Sequence, residues 1–193
     1  MFNKNILFLL SASLMAAIGI DINSTTMVIC SMLISPLAHP ILTFIKNIFN
    51  EKYNNMHLFY ELVIFISIIF IIGFIYGKFN FHHVPINKTI NNNNQEIESR
   101  SDGKYYIHAF LFTFIAGIVI CLSLNKSNNS FNVSNLIGVG IGASLLPPIV
   151  NSGILFSRNT ELDNIKSFNS FKLAIINIIG LMAGIIFSYL VNI

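Results

Sequence analysis

Charge is scarce in this 193-residue chain: Asp, Glu, Lys and Arg make up 10% of it, where ordinary soluble domains carry about 25%. With 54% hydrophobic side chains and a mean hydropathy of +0.70, that scarcity excludes most soluble enzyme folds and implies an integral membrane protein. The 11 Lys plus Arg exceed the 8 Asp plus Glu by a scattered +3, which excludes a nucleic-acid surface, since that needs clustered cations. Cysteine is scarcer still. Cys30 and Cys121 fall inside apolar stretches, so no loop-borne thiol framework exists for a disulfide-stapled secreted domain, and both read as buried thiols. No nucleophile stands with a base and an orienting acid, and no two carboxylates share membrane depth, so the chain reads as no enzyme. Cofactor and metal motifs are missing too. Gly138, Gly140 and Gly142 follow no strand and precede no Walker lysine, and His82-His83 lack the Cys or carboxylate partners of a metal site.

The positions of the few charges are informative. Residues 5–20, 22–45, 62–77, 105–125, 127–157 and 173–193 contain no Asp, Glu, Lys or Arg, as expected where a charge at the bilayer centre costs about 2.5–3.5 kcal/mol. A span needs about 20 residues, which predicts an all-α, polytopic bundle forming one transmembrane domain over 1–193. Its six spans fall at about 5–21, 25–48, 57–78, 105–124, 134–157 and 171–192, with a polar loop at 79–104. The first run, behind Lys4 and ending near Ala16-Ala17, also has the outline of a signal peptide. Only Asp21–Ser24 separate it from the next run, however, which predicts a tight helical hairpin. The side holding 79–104 and 158–170 carries seven basic residues against four on the other, so the positive-inside rule puts those loops in the cytosol.

Proline is the other minority residue that matters. Four of the five lie in apolar windows, although a proline inside a soluble helix costs about 3 kcal/mol. Leu33-Ile34-Ser35-Pro36-Leu37-Ala38-His39-Pro40 in the second window aligns without a gap on Leu145-Leu146-Pro147-Pro148-Ile149-Val150-Asn151-Ser152 in the fifth. Each octapeptide lies in the middle span of a group of three. A three-span unit followed by its copy enters the membrane from the opposite face, giving a 3+3 inverted repeat with proline-broken helices 2 and 5 that meet near the midplane. Chance similarity in an apolar chain, and kinks repaired by neighbouring helices, make up the plainer reading.

At these residues the chain resembles the family catalogued as domain of unknown function 389, a hydrophobic membrane domain. The resemblance rests on Leu9-Leu10-Ser11, the turn at Gly19–Ser24 and Met32-Leu33-Ile34-Ser35-Pro36-Leu37-Ala38-His39-Pro40-Ile41. It continues through Glu96-Ile97-Glu98-Ser99-Arg100, Gly138-Val139-Gly140-Ile141, Leu145-Leu146-Pro147-Pro148, Gly153-Ile154 and Asn177. His39, and less clearly Asn151, stand where that family carries small residues. The family has no established activity, so the resemblance implies a fold and no substrate.

The candidate path for a small solute or ion is therefore Ser35, Pro36, His39, Pro40, Pro147, Pro148, Asn151, Ser152 and Asn177. His39 and Asn151 would be the polar contacts, and the prolines would free backbone groups for a cavity. His39 bonding only the carbonyls freed beside it, and serines acting as helix glue, are the plainer alternatives. His57 and Glu61, four residues apart, would share a helix face. Gly138 with Gly142 and Gly180 with Gly184 have small-xxx-small spacing, which predicts close packing of the fifth span on the sixth. The leading function is binding or passage of a small solute or ion near the midplane of a lipid bilayer; the rival is a non-transporting scaffold or assembly protein with a closed core. The sequence leaves a homo-oligomer and the identity of the membrane open.

Overall fold

The structure is a computed structural model that describes residues 2–37, 41, 56–80, 95–126 and 145–191. Every regular element among them is helical. Helix α1 spans Phe2–Asp21, α2 Thr25–Ile34 and α3 Met56–Asn80. The short α4, Gln95–Ser101, leads through a 3-10 turn at Gly103–Tyr105 into α5, Tyr106–Lys126. Helix α6 spans Leu146–Ser157 and α7 Glu161–Leu190. Four of these helical stretches, Lys4–Asp21, Met56–Phe79, Gly103–Ile120 and Glu161–Leu190, are long and apolar enough to cross a membrane. The outer face of α5 shows why water is the wrong solvent for them: Ile107, Leu111, Ile115 and Val119, all more than half exposed, form a continuous apolar stripe at helical spacing.

The local chemistry of the turns sets the helix ends. Asn23 adopts a left-handed φ of 58°; Ser24 N–H bonds the Gly19 carbonyl at 2.8 Å and Asn23 N–H bonds that of Ile20 at 3.3 Å. This is a Schellman closure of α1, with Asn in the position that tolerates left-handed backbone. Ser24 then caps α2, so Asp21–Ser24 make the tight hairpin that the sequence predicts. Helix α2 stops at Ile34 because Ser35 precedes Pro36 and is pushed to extended backbone, ψ 129°. Thr160 caps the start of α7, its hydroxyl accepting from Asp163 N–H and donating to the Asp163 carboxylate. The sixth helix of the expected bundle thus begins at Glu161, ten residues before the apolar window at 171–192.

Several pairings fix the helix directions. Tyr76 OH donates to Asp21 at 3.1 Å; Gly73 abuts Val150 and Gly77 abuts Ile154; Gly180 abuts Phe110 and Thr113, while Gly184 abuts Phe114. Consequently α1, α3 and α6 run toward the end that holds the 21–24 turn, and α2, α5 and α7 run away from it. Helix α4 lies at that same end, inside the stretch expected to be a polar loop. The centre of the molecule is α6, packed against α1, α2, α3, α4 and α7. Every residue from Leu146 to Leu155 is buried, yet at 1.5 Å per residue its 12 residues extend about 18 Å, short of a bilayer core of about 30 Å.

Among the described residues the prolines sit at helix ends. Pro36 follows α2, and Pro147 and Pro148 occupy the first turn of α6, where their missing N–H groups would have had no intrahelical partner in any case. The two aligned octapeptides accordingly differ in conformation: Ser35, Pro36 and Leu37 are non-helical where Pro147, Pro148 and Ile149 are helical. One further expectation is corrected. Cys30 is exposed on α2, not buried, because its position faces away from α1.

Candidate functional site

A polar cluster forms on the buried face of α6, where two small polar residues project from an otherwise apolar helix. Asn151, fully buried, donates through Nδ2 to Ser170 Oγ at 2.7 Å and to the Ile97 carbonyl at 3.3 Å. The Ser170 hydroxyl in turn donates a hydrogen bond to the Arg100 carbonyl at 2.8 Å. Next to this chain Ser167 Oγ donates to the Ser152 carbonyl at 2.8 Å, so the 3.1 Å contact between the two hydroxyls has Ser152 as donor. Ser167 and Ser170 are three residues apart on the α7 stripe that faces α6, and Asn177, two turns on from Ser170, is buried on the same stripe. The Asn151 Oδ1 has no hydrogen-bond partner among the described residues.

Helix α4 closes the cluster from one side. Asn151 and Ser170 hold its carbonyls, and Lys166 holds Glu98 at 2.6 Å. Thr25 donates to Glu96 Oε1 at 2.7 Å, and the Glu96 N–H bonds Asn23 Oδ1 at 3.0 Å. Within α4, Arg100 forms an ion pair with Glu96 and also donates to the Glu96 carbonyl. Burial pushes the Arg100 guanidinium below its ordinary pKa, and the Glu96 carboxylate opposes that shift. At the neighbouring turn burial likewise lowers Arg158, opposed by Asp163 and Asp21. An ion pair this enclosed is expensive to disrupt from one side only, so α4 is a positioned element and not a passive connection.

Of the residues named from the sequence, Asn151 and Ser152 meet at the centre of this cluster, Pro147 and Pro148 lie buried in the turn that begins their helix, and Asn177 is buried on α7. Ser35 and Pro36 are half-buried at the end of α2; Ser35 Oγ accepts from Leu37 N–H at 3.4 Å, and no hydrogen bond among the described residues joins it to Asn151. His39, Pro40, His82, His83, Gly138, Gly140 and Gly142 lie outside the described residues. Gly180 and Gly184 face α5, with Gly117 opposite; their partner is thus the fourth apolar window, where the sequence paired them with the fifth. His57 is exposed and Glu61 half-buried, with no hydrogen bond between them among the described residues. Among those residues no three His, Cys, Asp or Glu side chains gather as metal ligands.

The residues that the sequence reading gave no role are Thr25, Glu96, Arg100, Ser167 and Ser170. The signals were faint but present: an i, i+4 Glu–Arg pair in a polar stretch, and serines three apart at the start of an apolar helix.

Comparison with known proteins gives two matches. Residues 32–183 match the family model described as Domain of unknown function (DUF389). An uncharacterized protein of Methanocaldococcus jannaschii is 28% identical over 192 residues, covering 96% of this chain and 53% of that protein. The chain therefore spans little more than half the length of that relative. No solved structure matches it.

Proposed function

The chain belongs to the DUF389 family, and on that premise we propose a multi-pass membrane protein that binds or passes a small polar solute or ion at the cluster around Asn151. Six spans, three plus three, account for the helix directions: α1 and α5, α2 and α6, and α3 and α7 run in opposite senses, as successive three-span units must. Helix α6, too short to cross the bilayer, begins inside the bundle, and the first-turn prolines remove donors that lipid could not satisfy. The observation that carries the reading is the fully buried Asn151 amide, whose Oδ1 has no partner among the described residues. An unpaired buried amide oxygen costs about 1–3 kcal/mol, and a bound cation or a hydroxyl donor would offset that cost. Ser152, Ser167 and Ser170 surround it with groups able to re-pair, and α4 is the element that must shift for a solute to arrive from its side.

Cysteine accessibility tests this. In a chain carrying Cys30→Ser and Cys121→Ser, Ser152→Cys is expected to react with the small cationic reagent methanethiosulfonate ethylammonium in sealed vesicles, faster once α4 is loosened by Lys166→Glu. Absence of reaction from both sides of the membrane, with and without Lys166→Glu, would leave the closed scaffold as the better account.

A further inference from the structure

A groove of 710 Å³ opens on the flank of the bundle between α3, α6 and α7. Phenyl rings of Phe70, Phe156, Phe168 and Phe171 line it, and the bonded Ser152–Ser167 pair forms its polar floor. Its size lies within the roughly 300–1,000 Å³ of small-ligand sites. The apolar walls offer little to a hydrated solute, and two of the three helices that form them, α3 and α7, are long and apolar enough to cross a membrane, so an occupant would come from the lipid phase.

Two cations mark the edges of this groove. On α3 the lining residue Ile71 is followed at helical spacing by Phe74 and Lys78, and Lys78 Nζ lies over the Phe74 ring, 6.0 Å from its centroid. Phe74 in turn packs on Phe156, with centroids 6.2 Å apart. On α7, Lys172 Nζ lies 4.5 Å from the centroid of Phe168, itself a wall of the groove. Each lysine reaches back one turn toward the start of its own helix, the direction that helical side chains favour. Because α3 and α7 run in opposite senses, the two ammonium groups lean toward one level of α6: Gly153 abuts Phe74, while the adjacent Ser152 bonds Ser167, the chain neighbour of Phe168. Neither lysine has an ion pair among the described residues, although Arg100, Lys104, Arg158 and Lys166 all do.

We propose that this groove binds one anionic phospholipid, with an acyl chain between the phenyl rings and the phosphate held by Lys78 and Lys172. Charge complementarity selects the occupant. A zwitterionic lipid fills the same apolar space but leaves the two lysines less well neutralised. The proposal is independent of solute passage at Asn151.

The chain contains no tryptophan, so Phe156→Trp places a lone reporter in the groove. Reconstituted full-length protein would be titrated with phosphatidylglycerol or phosphatidylcholine carrying brominated acyl chains, which quench tryptophan on contact. The expected result is a preference for phosphatidylglycerol of roughly thirtyfold, from a surface attraction of about 1 kcal/mol for each of the two lysines. Lys78→Gln combined with Lys172→Gln should abolish that preference, and Leu111→Trp on the exposed face of α5 should not show it. Ile71→Trp serves as a second reporter in the same groove if Phe156→Trp perturbs folding. Equal quenching by the two lipids at both groove positions, or a preference that survives removal of both lysines, would overturn the proposal.

Discussion

Replacing Gly153 by alanine isolates the contact that holds α6 in place. A Cβ built there meets the Phe70 carbonyl, Phe74 N at 2.8 Å and Gly73 C at 3.1 Å, all of them backbone atoms. Alanine should gain up to about 1 kcal/mol of helix propensity, so the sign of the effect depends on the packing term. Ordinary carbon contacts lie at about 3.5–4.0 Å, and a gap of 0.5–1 Å forfeits about a quarter to a half of each contact's 0.1–0.2 kcal/mol. If α3 retreats by that much over on the order of 40 atom pairs, the contact set of one buried leucine, the loss is about 1–4 kcal/mol. The middle of that range less the propensity gain leaves Gly153→Ala destabilised by about 1.5 kcal/mol in a detergent titration followed by circular dichroism. Gly103→Ala is the control, since its Cβ would meet only the Tyr106 side chain at 3.4 Å or more. Truncating the Phe70 side chain should not rescue Gly153→Ala, because the obstacle is the Phe70 backbone. A Gly153→Ala protein as stable as the parent, or one rescued by Phe70→Ala, would refute the close crossing of α3 and α6.

Four further outcomes follow from the polar end of the bundle. Asn151→Leu removes the donor to Ile97 and Ser170 and should loosen α4, so trypsin cleavage at the half-buried Arg100 should accelerate about tenfold, the equivalent of about 1.4 kcal/mol; an unchanged cleavage rate would contradict the hold of Asn151 on α4. Arg100→Met leaves the Glu96 carboxylate buried without its partner and should cost about 3–5 kcal/mol in the same detergent titration, most of it recovered by adding Glu96→Gln. Charge reversal at Lys166, whose pair with Glu98 is more than a third exposed, should cost no more than about 1 kcal/mol; the reverse ranking of these two variants would mean that α4 is held by its surface and not by its buried pair. Cysteines at Asn23 and at Asn159 should label with an impermeant maleimide from the same side of the membrane; labelling from opposite sides would break the assignment of helix directions.

Much of the helix layout was legible because charge and turn chemistry are local properties. Met56–Asn80 and Tyr106–Lys126 nearly coincide with the expected spans at 57–78 and 105–124, and the Asp21–Ser24 hairpin follows from an Asn that tolerates left-handed backbone. What misled was the assumption that a helix ends where its hydrophobicity ends. Helix α7 starts at a capping Thr160 and carries Glu161, Asp163 and Lys166 through its first turns, because α4 and the 158–160 turn supply polar partners that an apolar window cannot reveal. The same partners hide α4 itself. Seven residues in a polar stretch show no amphipathic period long enough to read, and their order comes from Asn23, Thr25, Asn151, Lys166 and Ser170, which are distant in sequence.

The prolines changed meaning once placed. As helix breakers, Pro147 and Pro148 would mark a kink in a long span; as first-turn residues they let a helix begin in an environment without water to satisfy its leading N–H groups. A helix begun inside a bundle must then be buried on every side, and α6 is, from Leu146 through Leu155. Total burial in turn makes each of its polar atoms costly unless matched, which is why Ser152 has Ser167 and the Asn151 amide has Ser170 and a carbonyl of α4. The unmatched Oδ1 of Asn151 is thus the atom at which a closed scaffold and a binding site make opposite demands. In a scaffold, replacing that amide with Leu together with Ser170→Ala exchanges the unmatched Oδ1 for an Arg100 carbonyl without its donor, so the change in stability should be the same whatever solute is added. A binding site should lose its ligand by the same change and, with it, whatever stability the ligand adds.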